Sequence, residues 1–193
     1  ADNLFWMGRY LERAEATLRI IRCLCNRLNE PLKDASDGRQ PIERCKQLLL
    51  SWGAIQINDE TDRGSSAAFA GATDLAAYGS VLSLAMQVKR TAAIVRERLS
   101  QDVWQLINRL ERRLEDMSHN AALEAEILEG VERSLHTISA LSGLMDENFN
   151  RVAGWTFIDL GRRIERAINT CRFVRQFTGN NPTIETLDAL LEI

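Results

Sequence analysis

The sequence is poor in residues that break helices or build metal centres. Three of its 193 residues are proline, two are histidine and 6% are aromatic. So few prolines favour long helices over a fold with many turns. The four cysteines show no CxxC spacing, which argues against a zinc ribbon or a dithiol redox site. We therefore expect reduced cysteines that pack in a core, and a cytoplasmic protein.

Charge of one sign and long apolar runs are missing as well. Lysine plus arginine number 24 against 27 for aspartate plus glutamate, a net charge of −3. Nucleic-acid binding driven by charge is therefore disfavoured, because it needs a strong positive field. The most apolar stretch, residues 65–86, contains Asp74 and many small residues. We expect no membrane span and no secretory signal.

Apolar residues recur every three or four positions along most of the chain, a spacing that predicts helices. The clearest pattern covers residues 4–28, with Asp2 as its cap. Further helices are predicted over 41–52, 73–98 (capped by Thr73), 100–117 (capped by Ser100), 120–146 and 153–178, and from Pro182 onward, with a loop at 58–66. The sequence thus predicts an all-α fold, with residues 1–193 forming one bundle of about six or seven mostly antiparallel helices.

Two segments that lie 153 positions apart carry the same motif. Residues 5–24 align without gaps on residues 158–177, and eight of the 20 positions are identical. Both segments contain the word GRxxERA, and both carry an apolar seam with the same spacing. The second seam consists of Phe157, Leu160, Ile164, Ala167, Cys171 and Val174. This correspondence predicts an internal pseudo-repeat in which two helices present the same face.

Each motif places a glutamate between two arginines, because residues three and four apart are neighbours on a helix. The two sets are Glu12 with Arg9 and Arg13, and Glu165 with Arg162 and Arg166. Two interpretations stay open. The charges can pair across the bundle and fix its register. Alternatively, they form a pocket in which the arginines bind a carboxylate or phosphate and Glu12 or Glu165 serves as a catalytic base.

Metal and phosphate chemistry lack a matching pattern. Glu115 and His119 stand four apart, as do Glu132 and His136, whereas a ferritin-like site uses Glu-x-x-His. No GKS or GKT word that could cradle a phosphate occurs. We therefore predict no metal site and no cofactor for this chain.

Three ordered segments carry a resemblance to a known family. The words LFWMGRYLERAE and GWTFIDLGRRIERA, with VRERLSQDVWQLIN between them, resemble the alpha-E family of bacterial helical proteins, named for its ER motif. The middle segment matches the family pattern at Arg96, Glu97, Ser100, Trp104 and Asn108. Trp6 and Trp155 accompany the two ER motifs, so we expect both to pack near the charged patch.

The resemblance implies partners. Alpha-E proteins are typically encoded beside, or fused to, ATP-grasp proteins and transglutaminase-like peptidases, and ATP-grasp enzymes join carboxylates to amines. It therefore implies a helical subunit of a peptide-synthesis or peptide-tagging system, whose ER pocket, with Arg96, Glu97 and the two tryptophans, positions a peptide carboxylate or docks the ligase. An enzyme acting on a peptide amide and a purely structural bundle remain the alternatives. Family members also imply a C-terminal part beyond LLEI.

Overall fold

The computed structural model describes residues 1–30, 39–56, 63–120, 124–148, 153–179 and 181–193. These residues form eight α-helices and one 3₁₀ turn, and they contain no strand. The helices are α1 (Asp2–Asn29), α2 (Arg39–Ser51), α3 (Gly64–Thr73), α4 (Val81–Ile94), α5 (Gln101–Asn120), α6 (Glu124–Asn148), α7 (Ala153–Thr178) and α8 (Ile184–Glu192), with the 3₁₀ turn at Arg96–Arg98. The all-α prediction is confirmed, but the predicted six or seven helices are too few.

Helix α1 is the centre of the bundle. Its apolar seam is buried from Leu4 to Cys25, and its main neighbours are α7 and α4, followed by α6, α2 and α3. At one end Leu4, Met7 and Leu11 share a cluster with residues of α4, α5 and α6. At the other end Leu18 and Ile21 belong to a larger cluster that includes α2 and α3. Burial of this seam supplies much of the hydrophobic stabilisation.

The extra helix lies where the sequence predicted a loop followed by one long helix. Residues Gly64–Thr73 form α3, whose alanines are strong helix formers and allow close approach to α1. Thr73 ends α3 and does not cap the next helix: its hydroxyl donates to the Phe69 carbonyl at 2.8 Å. Ser80 caps α4 instead, accepting from the amide of Ser83 at 3.2 Å.

Other helix ends agree only in part with the sequence. Ser100 accepts from the amide of Val103 at 3.3 Å at the start of α5, as predicted. Asp2 lies inside α1, and no side chain caps that helix. On α5, Glu111 is buried and pairs with Lys89 of α4. None of the four cysteines forms a disulfide; Cys171 is exposed and the other three are buried.

The seam predicted for α7 does not face the core. Helix α7 buries Ile158, Gly161, Glu165 and Asn169, while the seam residues point outward. Both helices therefore bury the face that carries the ER motif, but α1 buries its apolar seam as well, whereas α7 leaves its seam exposed. Within the described residues, none of the helices has the length and apolarity that crossing a membrane requires.

Candidate functional site

The two ER motifs meet where α1 crosses α7, and a glycine from each helix makes the crossing close. A Cβ atom on Gly8 would overlap the carbonyl oxygen of Ile158, and one on Gly161 would overlap the carbonyl oxygen of Phe5. The two contacts are related by the same offset of 153 residues that relates the motifs. Phe5 of α1 thus lies against Gly161 of α7, and Gly8 lies against Ile158. Since the α7 numbers fall as the α1 numbers rise, the two helices are antiparallel.

Glu165 of α7 accepts from two arginines of α1. The Nε atoms of Arg9 and Arg13 each donate to one carboxylate oxygen, and the Arg13 bond is 2.6 Å long. The Glu165 side chain has no exposed surface, and the two arginine side chains are partly buried. Separate donors thus engage both oxygens of a fully buried carboxylate, which offsets its loss of water.

Glu12 of α1 makes the reciprocal contacts with α7. Arg166 holds it with two bonds, from Nε at 2.6 Å and from Nη2 at 2.9 Å, and Arg162 donates from Nε at 3.2 Å. The hydrogen bond to Glu12 raises the pKa of Arg166, although partial burial opposes this. The predicted pairing across the bundle is therefore present, and each glutamate is bound by the other helix's arginines.

Both tryptophans accompany this cluster. The Arg9 guanidinium lies over the rings of Phe5 and Trp6, at 5.8 and 5.7 Å from their centres. On the opposite helix, the Trp155 indole donates to Asp146 at 3.4 Å and lines a cavity of about 720 Å³. The same cavity is lined by Arg162 and Arg166. Trp6 and Trp155 thus lie beside the arginines, as the sequence predicted.

A second cavity, of about 410 Å³, lies between α1, α7 and α8. Glu12 and Arg166 line it on the polar side; its other lining residues are Glu15, Ala16, Arg19, Asn169, Thr170, Phe173, Val174, Leu190 and Ile193. Arg166 thus lines both cavities, and 59% of its side chain is exposed. Glu165 lines neither of them.

Asn169 is the residue of this cavity that sequence reasoning missed. Only 3% of Asn169 is exposed, yet its amide nitrogen and its amide oxygen have no hydrogen-bond partner among the described residues. A buried polar group without a partner is unusual and costly. One signal was available: the repeat pairs Asn169 with Ala16, so an amide replaces a methyl group at a buried position.

Two predicted site residues make their contacts elsewhere. Arg96 donates to the Leu99 carbonyl at 3.1 Å and to Gln101 at 2.7 Å, and it stacks on Trp104. Glu97 is exposed, and its nearest cation is Arg98 at 3.8 Å. The middle signature therefore organises the turn between α4 and α5, whereas the ER residues form their own cluster. Within the described part of the chain, no three histidine, cysteine or acidic side chains cluster as metal ligands would.

Fold and site together define an all-helical bundle built on two crossed helices with reciprocal Arg–Glu pairs. Residues 1–193 match the model of the Alpha-E family, described as a predicted alpha-helical domain with a conserved ER motif, and the chain belongs to that family. Uncharacterised proteins of Mycobacterium bovis and Mycobacterium tuberculosis are 29% identical to it over 185 residues. The match covers 86% of this chain and 21% of each relative, so the chain spans about a fifth of their length. No solved structure matches it.

Proposed function

We propose that this chain is the helical component of a bacterial ATP-grasp-linked system that synthesises or tags peptides, and that it positions a peptide carboxylate for the ligase. Family membership supports the association with ATP-grasp proteins, because the alpha-E resemblance implies such partners. The site supports the ligand: the cavity between α1, α7 and α8 is lined by two arginine–glutamate pairs (Arg166 with Glu12, Arg19 with Glu15), by the Asn169 amide and by an apolar wall.

The unpaired amide of Asn169 carries this proposal. A side-chain amide offers two N–H donors and one oxygen acceptor, which is the complement of a peptide group. Both of its polar atoms are buried without a partner among the described residues, next to the cavity that Arg166 also lines. A peptide end would satisfy the amide through its backbone, and its carboxylate would bind the guanidinium.

Arg166 can bind Glu12 and a ligand carboxylate at the same time. Its Nε and Nη2 atoms donate to Glu12, while Nη1 makes no bond within the described residues. Glu12 also holds the guanidinium plane in place. The apolar lining residues Phe173, Val174, Leu190 and Ile193 could then contact the side chain of the terminal residue. The ER motif would thus act as a positioning device for a carboxylate.

The alternative, an enzyme that acts on a peptide amide, has one observation in its favour. Glu12 lines the smaller cavity, so a bound peptide could reach its carboxylate. Glu165 lacks this access, since its side chain is fully buried and lines neither cavity. Of the two predicted catalytic residues, Glu12 is therefore the one to test as a base.

The test is to copurify the chain with an ATP-grasp protein encoded beside it and to measure the release of ADP that depends on added peptide. We expect Asn169→Leu to lower this turnover at least about tenfold while the melting temperature is maintained. Asn120→Leu is the matched control, because Asn120 is exposed at the end of α5 and its amide donates to the Asp116 carbonyl. It should leave turnover unchanged.

The outcomes separate the candidate functions. Peptide hydrolysis by the chain alone, abolished by Glu12→Gln in a protein that still folds, would establish the enzyme instead. Normal turnover in the Asn169→Leu complex would remove the carboxylate pocket from the proposal. If the chain copurifies with no ATP-grasp protein, the purely structural bundle becomes the favoured interpretation.

A further inference from the structure

Helix α7 presents a continuous apolar stripe to solvent. The stripe consists of Phe157, Leu160, Ile164, Ala167, Cys171 and Val174, all of them exposed. Their spacing alternates between three and four, the heptad pattern of a helix that packs along another helix. Single apolar residues on a surface are ordinary, whereas a stripe of this length marks an interaction site.

Helix α1 shows what such a stripe does when it is covered. Its equivalent residues, 153 positions earlier, are Leu4, Met7, Leu11, Ala14, Leu18 and Ile21, and none is more than 2% exposed. Helices α4 and α6 cover part of them through residues such as Val88 and Leu141. In α7 the four largest stripe residues are 37–46% exposed. The same heptad pattern thus packs against helices in α1 and has no cover in α7 among the described residues.

The borders of the stripe are basic. Arg163 and Arg166 lie along one edge, and Arg172 and Arg175 lie along the other, all of them exposed. Asp159 pairs with Arg163 at 2.7 Å and Glu12 binds Arg166, so these four arginines face two carboxylates among the described residues. This excess of positive charge is local, because the whole chain carries a net charge of −3.

We infer that the α7 stripe docks an amphipathic helix of a partner protein, with apolar residues at heptad spacing and acidic residues on both flanks. Charge complementarity identifies this occupant, since flanking charges select partners in paired helices. A second copy of the chain fits less well, because it would bring one arginine-bordered face against another. The stripe shares Val174 and its border residue Arg166 with the smaller cavity, but Ile164 and Arg163, where the inference is tested, do not line that cavity. Failure of the carboxylate pocket and failure of this inference are therefore distinguishable.

The experiment uses two synthetic three-heptad peptides with leucine at the seam positions. One carries glutamate on both flanks and the other carries lysine. Binding of each labelled peptide is followed by fluorescence anisotropy, and coverage of the stripe by the rate at which a maleimide labels Cys171. We expect the glutamate peptide to bind at least about tenfold more tightly than the lysine peptide, and to slow labelling of Cys171.

Three variants assign the effect to α7. Ile164→Gln should weaken binding of the glutamate peptide at least about tenfold, and Arg163→Glu should reduce the preference for glutamate flanks. Ile94→Gln is the control: Ile94 is an exposed residue of α4, outside the stripe. It should change neither the affinity for the glutamate peptide nor the preference for glutamate flanks. All three positions are exposed, so each variant should keep its helical circular dichroism spectrum.

Several results would overturn the inference. One is equal affinity for the two peptides, or no binding of either. Another is a dimer in light scattering that Ile164→Gln dissociates, because the occupant would then be a second copy. A third is an unreactive Cys171 in the protein expressed alone from its complete natural gene, which would show that the protein's own polypeptide covers the stripe.

Discussion

Glu12 on α1 is bound by arginines of α7, and Glu165 on α7 is bound by arginines of α1. These reciprocal ion pairs link α1 to α7 at the point where the two glycines let the backbones meet. Since a carboxylate without its partners would be buried and uncompensated, the two halves of the cluster depend on each other. The ER motif therefore has a structural role that any ligand-binding role must share.

Removing the more buried glutamate should be strongly destabilising. Glu165→Ala leaves Arg9 and Arg13 without their carboxylate, and loss of one partner from a buried pair costs about 3–5 kcal/mol. Urea unfolding followed by circular dichroism measures this loss. Glu185→Ala, at an exposed position in α8, is the control and should change the free energy of unfolding by less than about 0.5 kcal/mol. Equal midpoints for the two variants would contradict the structural role.

The glycine crossing makes a separate prediction. Gly8→Ala and Gly161→Ala should each force α1 and α7 apart, because the added methyl group meets a backbone carbonyl that cannot rotate away. We expect each to destabilise the fold by about 1–3 kcal/mol, as overpacking does. Gly143→Ala in α6 is the matched control: nothing lies within 4 Å of the added atom. It should stabilise the helix by up to about 1 kcal/mol, so the signs should differ in thermal melts.

Much of this fold follows from apolar periodicity, and the exceptions have physical reasons. The seam of α1 was readable because its large residues alternate with charged ones. Helix α3 was missed because Gly64–Thr73 holds one large apolar residue, Phe69, among glycines, serines and alanines. Its packing depends on small size, which leaves no heptad signal. Thr73 then resembled a cap, although its hydroxyl bonds back into α3.

The candidate site could be predicted from sequence only as far as the repeat reaches. The repeat brought the two arginine–glutamate sets together, and it placed Trp6 and Trp155 beside them. It could not show that α7 turns its seam outward, because that depends on which helices surround it. The smaller cavity also needs α8, which supplies Leu190 outside the aligned segments. One of its polar residues, Asn169, appears in the sequence only as a departure from the repeat.

Equivalent seam residues should respond differently to the same substitution. Leu11 in α1 is 2% exposed and Ile164, its counterpart in α7, is 37% exposed. Leu11→Ala should cost about 2–5 kcal/mol, because it leaves a cavity in the core. Ile164→Ala should change the free energy of unfolding by less than about 1 kcal/mol. Urea titrations of both variants at one protein concentration check this difference, and similar losses would show that α7 is covered in solution.

The cysteines should fall into two reactivity classes. Cys171 is exposed and should react with a maleimide at neutral pH, whereas Cys23, Cys25 and Cys45 should react only after unfolding. A hydrogen bond with Cys23, together with burial, raises the pKa of Cys45 well above its ordinary value. Mass spectrometry of the labelled protein counts the modified thiols. Two or more labels in the folded state would contradict the burial of these residues.

The raised pKa of Cys45 also predicts a loss of stability in alkali. In the folded state the thiol keeps its proton, whereas the unfolded thiol loses it near its ordinary pKa of about 8.5. The contribution is therefore complete below that pH and declines as the pH rises toward the folded value. Urea midpoints measured from pH 8 to pH 10 should fall for the natural chain and fall less for Cys45→Ala. Parallel curves would show that another group is responsible.

Asn169 should reveal whether its amide serves the fold or a ligand. If the amide is unpaired in the folded chain, replacing it with a similar-sized apolar group removes a buried polar cost of about 1–3 kcal/mol. Asn169→Leu should therefore raise the melting temperature or leave it unchanged, which is unusual for a buried position. Thr17→Val, at a buried α1 position whose hydroxyl donates to the Arg13 carbonyl, should lower it instead. Since proteins tend to depart from packing rules at their functional sites, a stabilised Asn169→Leu variant would support binding at the smaller cavity. Marked destabilisation would show that the amide has partners within the fold.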